Sequence, residues 1–115
     1  VVIQQPERMN LLGLILGGII ERNLEHERHR RTFQRLGGEV EVRAGGMLVT
    51  MAFDAGKLTI RRGGAERPRA RVGGSLDALM QLSLGGGMVG PWLSGKLKTG
   101  GSLLLLLRMR PLLQA

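Results

Sequence analysis

The stretch that decides the fold is Arg69–Leu113, which reads RARVGGSLDALMQLSLGGGMVGPWLSGKLKTGGSLLLLLRMRPLL. It opens with Ala70 and Val72 alternating with arginines, and this period-two pattern predicts a short strand. Ser75 is a good N-cap, and Asp77 suits the first turn because a carboxylate is favoured at the positive end of a helix dipole. A helix is therefore predicted directly after the strand.

The end of this stretch predicts a second strand and an unusually apolar helix. Lys96-Leu97-Lys98 has the alternation of a short strand, and Ser102 can cap the helix that follows. Five consecutive leucines, Leu103–Leu107, make that helix apolar around its full circumference. Such a helix must be buried on several sides or face an apolar molecule that is not protein. The pattern alone leaves open an apolar pocket, an ordinary aliphatic core and a dimer interface.

The N-terminal third predicts one long helix that begins near Pro6, a residue suited to a first helical turn. Apolar side chains recur on one helical face, at Leu12, Leu16, Ile20 and Leu24. We expect Gly17-Gly18 to kink or split the helix, polar residues 25–32 to be solvated, and Gly37-Gly38 to end it. Residues 1–6 are expected to form a flexible lead-in.

Two short turns predict a meander of three strands. Gly45-Gly46 supplies a two-residue hairpin loop. This loop length puts six apolar side chains on one face, by pairing Ala44 with Met47, Val42 with Val49 and Val40 with Met51. In the second turn, a two-residue loop at Ala55-Gly56 places Leu58 and Ile60 beside Phe53 and Met51, whereas a three-residue loop with a glycine bulge would turn them to the other side. We predict the two-residue loop because it keeps one continuous apolar face.

The predicted architecture is a single α+β domain over residues 1–115. Strands at Ala70–Val72 and Lys96–Lys98 complete a five-stranded sheet, with helices packed over one face. A strand joined to the next through a helix usually lies parallel to a neighbour, so the sheet is expected to be mixed. An apolar cavity is expected between the sheet and the helices.

Composition narrows the classes of function. The chain has no cysteine, which excludes disulfides and thiolate sites and suits a reducing compartment, so we expect a cytoplasmic protein. The net charge of +8 favours anionic partners, namely nucleic acid or acidic lipid headgroups. No aromatic side chains interleave the cationic positions to stack on bases, which disfavours nucleic acid. The apolar run Leu11–Ile20 is shorter than the roughly 20 residues that span a bilayer.

Catalytic and metal chemistry find little support in the sequence. His26 and His29 could approach each other, but two ligands without a third do not make a metal site. Ser75 reads as a helix cap, and Ser94 has no evident base. We therefore expect no enzyme, no catalytic residue, no metal and no cofactor.

Several short motifs occur in the order that is typical of one known family. These are Leu36-Gly37-Gly38 before the first strand, Asp54–Lys57 in a hairpin, Arg69–Val72 before a capped helix, Gly95–Lys98, and Gly101 before the leucine helix. In this order the chain resembles the sterol carrier protein type-2 family over nearly its whole length. Two departures are the tight Gly45-Gly46 turn and Leu104, which stands where a small residue is often found.

The resemblance implies non-covalent binding, with transfer, of a sterol, fatty acyl chain, phospholipid or polyprenyl chain. The residues expected to line the cavity are Met47, Val49, Met51, Leu79, Met80, Met88, Trp92, Leu103 and Leu107. The expected partners are a long apolar molecule and an anionic membrane surface, which Arg61, Arg62 and Arg67 would approach. The alternatives are an interaction domain that dimerises around a dry core and, second, a basic nucleic-acid-binding protein.

Overall fold

The computed structural model describes residues 1–83 and 97–113. The helices are α1 (Leu11–Asn23), α2 (Glu27–Gln34), α3 (Leu76–Ser83) and α4 (Leu103–Met109), with 3-10 helices at Pro6–Arg8 and Arg110–Leu113. The strands are β1 (Val2–Ile3), β2 (Gly37–Ala44), β3 (Met47–Asp54), β4 (Lys57–Arg62), β5 (Ala70–Gly74) and β6 (Leu97–Gly101). The α+β class and the mixed sheet are confirmed.

The sheet has six strands in the order β1-β4-β3-β2-β5-β6, not the five that the sequence predicted. The additional strand is β1, in which Val2 and Ile3 pair parallel with Thr59 and Ile60 of β4. The expected flexible lead-in at residues 1–6 therefore holds a strand and the start of a 3-10 helix. Two residues are too short to produce a periodic pattern, and the strand exists because the edge of β4 is free to bond it.

Both hairpins have the predicted register. Val42 lies opposite Val49 and Val40 opposite Met51, as a two-residue loop at Gly45-Gly46 requires. Met51 also lies opposite Ile60, across the second turn. In that turn Ala55 and Gly56 both have positive φ, 45° and 89°, as the favoured two-residue hairpin turn demands.

The mixed character of the sheet arises from two pairs that the sequence did not identify. β2 runs parallel to β5, and β1 parallel to β4. The strand after α3, β6, is instead antiparallel to its neighbour β5, with Ala70 opposite Gly101. The rule that a strand reached through a helix lies parallel to its neighbour therefore does not apply to β6.

The predicted N-terminal helix is divided at different places from those expected. Asn10 caps α1 by accepting a hydrogen bond from the Gly13 amide at 3.0 Å, so Pro6 belongs to a separate 3-10 helix. α1 continues through Gly17-Gly18 and ends at Asn23, and α2 begins at Glu27. A Cβ on Gly17 would lie 3.1 Å from Ile3 Cδ1 and 3.4 Å from Ile60 Cδ1. This glycine therefore permits close packing of α1 on the sheet and does not kink the helix.

The core lies between the inner face of the sheet and the helices. Its fully buried side chains include Leu12, Ile20, Val40, Val49, Met51, Leu58, Ile60, Leu97, Met109 and Leu112. The outer face of the sheet is polar: Arg61 pairs with Glu39, and Arg71 pairs with Glu41 at 3.3 Å. These pairs place part of the arginine cluster on the side of the sheet away from the helices.

Gly101 provides a test of how α4 is positioned. It has φ of +73°, and an added Cβ would collide with the Arg69 carbonyl and lie 2.9 Å from Ala70 Cα. Gly101→Ala should lower the free energy of unfolding by at least about 2 kcal/mol, because both the backbone strain and the contact with main-chain atoms are unfavourable. Urea denaturation measures this loss.

Gly100→Ala is the control, since a Cβ there meets only Arg71 Cβ at 3.8 Å and the φ is ordinary. If both variants lose the same free energy of unfolding, the close approach of β6 to β5 does not constrain Gly101.

Candidate ligand-binding site

An apolar pocket of about 60 Å³ lies between the sheet and helices α1, α3 and α4. We refer to it as the apolar pocket. The described residues that line it are Leu12, Ile15, Leu16, Ile19, Val42, Val72, Leu76, Leu79, Met80, Leu106, Met109, Arg110 and Leu113. Every one of these side chains except that of Arg110 is apolar.

Helical periodicity explains the wall that α1 contributes. Leu12, Ile15, Leu16 and Ile19 follow the spacing i, i+3, i+4, i+7 and therefore share one face. Asn10 fixes the start of this helix, and its Nδ2 also donates to the Leu48 carbonyl of β3 at 3.2 Å. The wall is thus tied to the sheet by a hydrogen bond as well as by packing.

The other helical walls depend on the two predicted serine caps, both of which are confirmed. Ser75 Oγ accepts a hydrogen bond from the Ala78 amide at 3.1 Å and starts α3. Ser102 Oγ accepts one from the Leu105 amide at 3.2 Å and starts α4. Leu76, Leu79 and Met80 then project from α3 into the pocket wall.

The leucine run of α4 is divided between core and solvent. Leu105 and Leu106 are buried, whereas Leu103, Leu104 and Leu107 are 43%, 58% and 49% exposed. Leu103 and Leu107, which the sequence analysis placed in the cavity wall, do not line the apolar pocket. Leu106 and Met109 occupy that position instead, because at 100° per residue they lie on the inward face of the helix.

The remaining residues that were predicted to line the cavity lie partly in the pocket wall, partly in the core and partly outside the described residues. Leu79 and Met80 line the apolar pocket. Val49 and Met51 are fully buried in the core and Met47 is half-buried, and none of the three is among the lining residues. Met88 and Trp92 lie outside the described residues.

Sequence reasoning missed the contribution of α1 and of the segment after α4. The apolar stripe of α1 is visible in the sequence, but helical periodicity does not distinguish a pocket wall from an ordinary core. The segment Arg110–Leu113 forms a 3-10 helix next to α1, and Asn23 Nδ2 donates to the Leu112 carbonyl at 2.7 Å. This contact between residues 89 positions apart in the sequence has no local signature.

The described residues contain no group of three or more His, Cys, Asp or Glu side chains that could hold a metal ion. The rings of His26 and His29 stand with centroids 5.9 Å apart. Partial burial, the Arg28 guanidinium and His26 all lower the pKa of His29 below its usual value.

In the part of the chain that is described, no helix is both long enough and apolar enough to cross a membrane.

Asn23 tests how the segment after α4 is held in place. Asn23→Ala should lower the free energy of unfolding by about 1–3 kcal/mol, since it leaves the Leu112 carbonyl without its buried donor. Chemical denaturation followed by circular dichroism measures this. Gln34→Ala, at an exposed position of α2, is the control and should change little. A similar small effect for both variants would show that the hydrogen bond does not stabilise the segment.

Comparison with known proteins identifies the fold. No protein-family profile and no curated protein sequence matches the chain. Among solved structures, a UbiJ-SCP2 ubiquinone synthesis protein superposes with a TM-score of 0.68 at 16% identity, over 92% of this chain and 93% of that one. The palmitated sterol carrier protein 2-like 2 of Aedes aegypti gives 0.57 at 18% identity, over 93% and 96%.

A similar unit also occurs in a much longer enzyme chain. The sec-alkylsulfatase Pisa1 of Pseudomonas sp. gives a TM-score of 0.67 at 16% identity, over 75% of this chain but only 14% of that one. The other two proteins are matched over more than nine tenths of their length. With its mixed sheet, its helical layer and these superpositions, the chain has the fold of the sterol carrier protein 2 domains.

Proposed function

We propose that this protein binds the apolar chain of a lipid non-covalently in the apolar pocket, and transfers it. The observation that carries the proposal is a pocket whose described lining is apolar except for one arginine. It occurs in a fold shared with sterol carrier proteins, one of which is described as palmitated. We propose Leu79 and Met80 as ligand contacts, because the sequence predicts them as lining residues and both line the apolar pocket.

The energetics require a long ligand. Each buried methylene contributes about 0.8 kcal/mol. Association itself costs an estimated 4–15 kcal/mol in lost freedom of motion. About five buried methylenes, worth about 4 kcal/mol, offset the lowest of these costs, and about nineteen, worth about 15 kcal/mol, offset the highest. This argument favours acyl or prenyl chains and sterols over short apolar molecules.

The pocket must widen to accept such a ligand. Its volume of about 60 Å³ is far below the roughly 300–1,000 Å³ of sites that hold drug-sized molecules. We propose that α3 is displaced, because among the described elements it packs mainly against β5, whereas α1 contacts β1, β3 and β4. Met80 suits a wall that adjusts, since methionine is unbranched and adopts many shapes.

Two alternative functions receive different support from the structure. A dimerising interaction domain is favoured by the exposed leucines of α4, which a second copy could cover. Nucleic-acid binding is weakened because Arg61 and Arg71 already pair with Glu39 and Glu41. We therefore keep dimerisation as the second candidate and do not propose nucleic-acid binding.

Met80→Asp tests the pocket directly. Met80 lines the pocket yet is 37% exposed, so the fold should tolerate the carboxylate. The wild-type protein should bind a fluorescent long-chain fatty acid or sterol analogue saturably in a one-to-one ratio. The variant should bind at least about tenfold more weakly, because an unpaired carboxylate in an apolar site is costly.

Leu104→Asp is the matched control, since the same charge is introduced on the exposed face of α4 away from the pocket. It should leave the titration unchanged. If the wild-type protein fails to bind any long-chain ligand, while ultracentrifugation finds a stable dimer, the interaction-domain alternative replaces our proposal.

We also propose that the protein approaches anionic membranes through the exposed leucines of α4. Leu103, Leu104 and Leu107 lie together at i, i+1 and i+4, and Arg108 follows on the same exposed side. The neighbouring α2 contacts α4 and carries Arg28, Arg30 and Arg31 against a single acid, Glu27. Two copies meeting at this surface would bring like charges together, whereas acidic headgroups would neutralise them.

Liposome co-sedimentation tests this surface. Binding should rise with the fraction of anionic lipid and weaken with added salt, which screens exposed charges. Replacing both Leu104 and Leu107 with Ser should reduce binding severalfold, whereas Val2→Ser, at an exposed apolar position of β1, should not. Unchanged binding of the double variant, or equal binding to neutral and anionic vesicles, would contradict the proposal.

A further inference from the structure

We propose that the outer face of the sheet carries a second site, which binds the phosphate group of a soluble phosphate monoester. The site is a groove over strands β2, β5 and β6 with a volume of about 680 Å³, and its lining includes Arg43, Gly73 and Lys98. These three residues lie on the side of the sheet away from the helices, so the inference goes beyond the proposed function. Only the choice of a soluble ligand rests on the membrane orientation proposed above.

Strand register places the three residues in one row across the sheet. Arg43 lies opposite Gly73 in the parallel pair of β2 and β5, and Gly73 lies opposite Lys98 in the antiparallel pair of β5 and β6. Two strand spacings separate the two cationic residues by about 10 Å. Both are exposed, and the glycine between them leaves a slot that their long side chains can reach from opposite sides.

The charges of this row differ from those of the rows beside it. Elsewhere on the outer face, arginines of β4 and β5 form ion pairs with Glu39 and Glu41 of β2. In the part of the chain that the structure describes, no acidic side chain forms such a pair with Arg43 or Lys98. Like charges on neighbouring strands are unfavourable, so an anion between these two cations would relieve their repulsion.

Glu41, the one acidic residue in the described lining of the groove, does not neutralise them. Its carboxylate pairs with Arg71 Nε at 3.3 Å and accepts a hydrogen bond from the Ala65 amide at 2.8 Å. The charge of Glu41 is therefore balanced by that of Arg71. The groove keeps two positive charges, from Arg43 and Lys98, that a ligand can neutralise.

A phosphate monoester matches this arrangement in charge. It carries about −1.5 to −2 charges at neutral pH and presents three strong acceptor oxygens. Arginine binds phosphate through its planar fork, and lysine binds it as a point charge. A carboxylate or a phosphate diester carries a single negative charge and would leave one of the two cations unneutralised.

The position of the groove favours a soluble ligand over a membrane lipid. α4 packs on the helical side of the sheet, and its exposed leucines are the surface proposed to approach a membrane. A protein that docks in this orientation turns the outer face of its sheet toward the aqueous solution. The phosphate group is therefore expected on a molecule that arrives from solution.

NMR titration of the isotope-labelled protein in the absence of lipid tests the site. The probes are methyl phosphate, a dianion, and dimethyl phosphate and acetate, both monoanions. The wild-type protein should bind methyl phosphate saturably, with the largest amide shifts in β2, β5 and β6. Its affinity should exceed that for either monoanion at least about tenfold, the size expected of one lost hydrogen bond between charged groups.

Variants of the two cations test their roles. Arg43→Gln and Lys98→Gln should each weaken the binding of methyl phosphate at least about tenfold, because each removes one charged donor. Lys57→Gln is the control, since it makes the same change of charge at an exposed position of β4 outside the groove. It should bind methyl phosphate as the wild-type protein does.

Gly73→Val separates a slot between the cations from a general effect of positive charge. The variant keeps both cations and fills the space between them. An added Cβ would lie 3.4 Å from Arg43 Cβ, which is an ordinary contact, and valine suits a strand. Binding of methyl phosphate should weaken at least about tenfold while thermal unfolding stays cooperative. Gly73→Ala replaces this variant if it does not fold.

The inference is wrong if the wild-type protein does not bind methyl phosphate, if Gly73→Val binds it as the wild-type protein does, or if Lys57→Gln loses as much affinity as Lys98→Gln. Hexaglutamate that binds as tightly as methyl phosphate would assign the groove to an acidic peptide instead. Vesicles that contain phosphatidic acid, whose head group is also a phosphate monoester, test the source of the phosphate. Vesicle binding that depends on Arg43, without binding of methyl phosphate, would contradict the soluble ligand.

These outcomes are independent of those for the apolar pocket. A protein that binds no long-chain ligand could still bind methyl phosphate, and the proposed function alone would then be wrong. A protein that binds fatty acid but not methyl phosphate would retain the proposed function and lose the second site.

Discussion

The pairing of β2 on both of its edges is the constraint on which the pocket depends. β2 bonds β3 antiparallel through a two-residue hairpin and β5 in parallel through a distant crossover. The parallel register sets Val42 directly beside Val72, and these two valines form the sheet side of the apolar pocket. It also fixes where β5 ends, and hence where Ser75 starts α3 over that floor. A slip of one residue in this register would turn Val72 to the outer face, whereas Val42 would stay on the inner face because β2 also pairs with β3.

Local chemistry explains which parts of the fold the sequence could predict. The Gly45-Gly46 turn indicates one register, and the continuous apolar face selects the two-residue register at Ala55-Gly56; both registers are confirmed. The Ser75 and Ser102 caps are likewise short-range interactions, and both are confirmed. β1 was not predicted, because its two residues form a strand only by pairing with the edge of β4. The direction of β6 depends on the path of the chain over the sheet, which local pattern does not report.

The candidate site was harder to predict than the fold, and α4 shows why. A helix that is apolar on every side carries no information about which side faces inward. Leu106 and Leu107 are chemically identical, yet packing buries the first and exposes the second. The position of Arg110 in the wall is equally a product of tertiary structure, since it follows from a hydrogen bond between Asn23 and Leu112. Fold similarity does not resolve such details, because one fold can hold sites of different chemistry.

Gly17 gives the two helical walls of the pocket different mechanical properties. Its missing side chain lets α1 settle against Ile3 and Ile60, so this wall is anchored to two strands. The facing wall, α3, packs mainly against a single strand among the described elements. If the pocket widens for a ligand as proposed, α3 would move and α1 would stay in place. The part of α1 that lines the pocket, from Leu12 to Ile19, measures about 10 Å along the helix axis at about 1.5 Å per residue. Under the proposed function, the width of a ligand would be accommodated by movement of α3, whereas the length of the α1 wall would stay the same for every ligand.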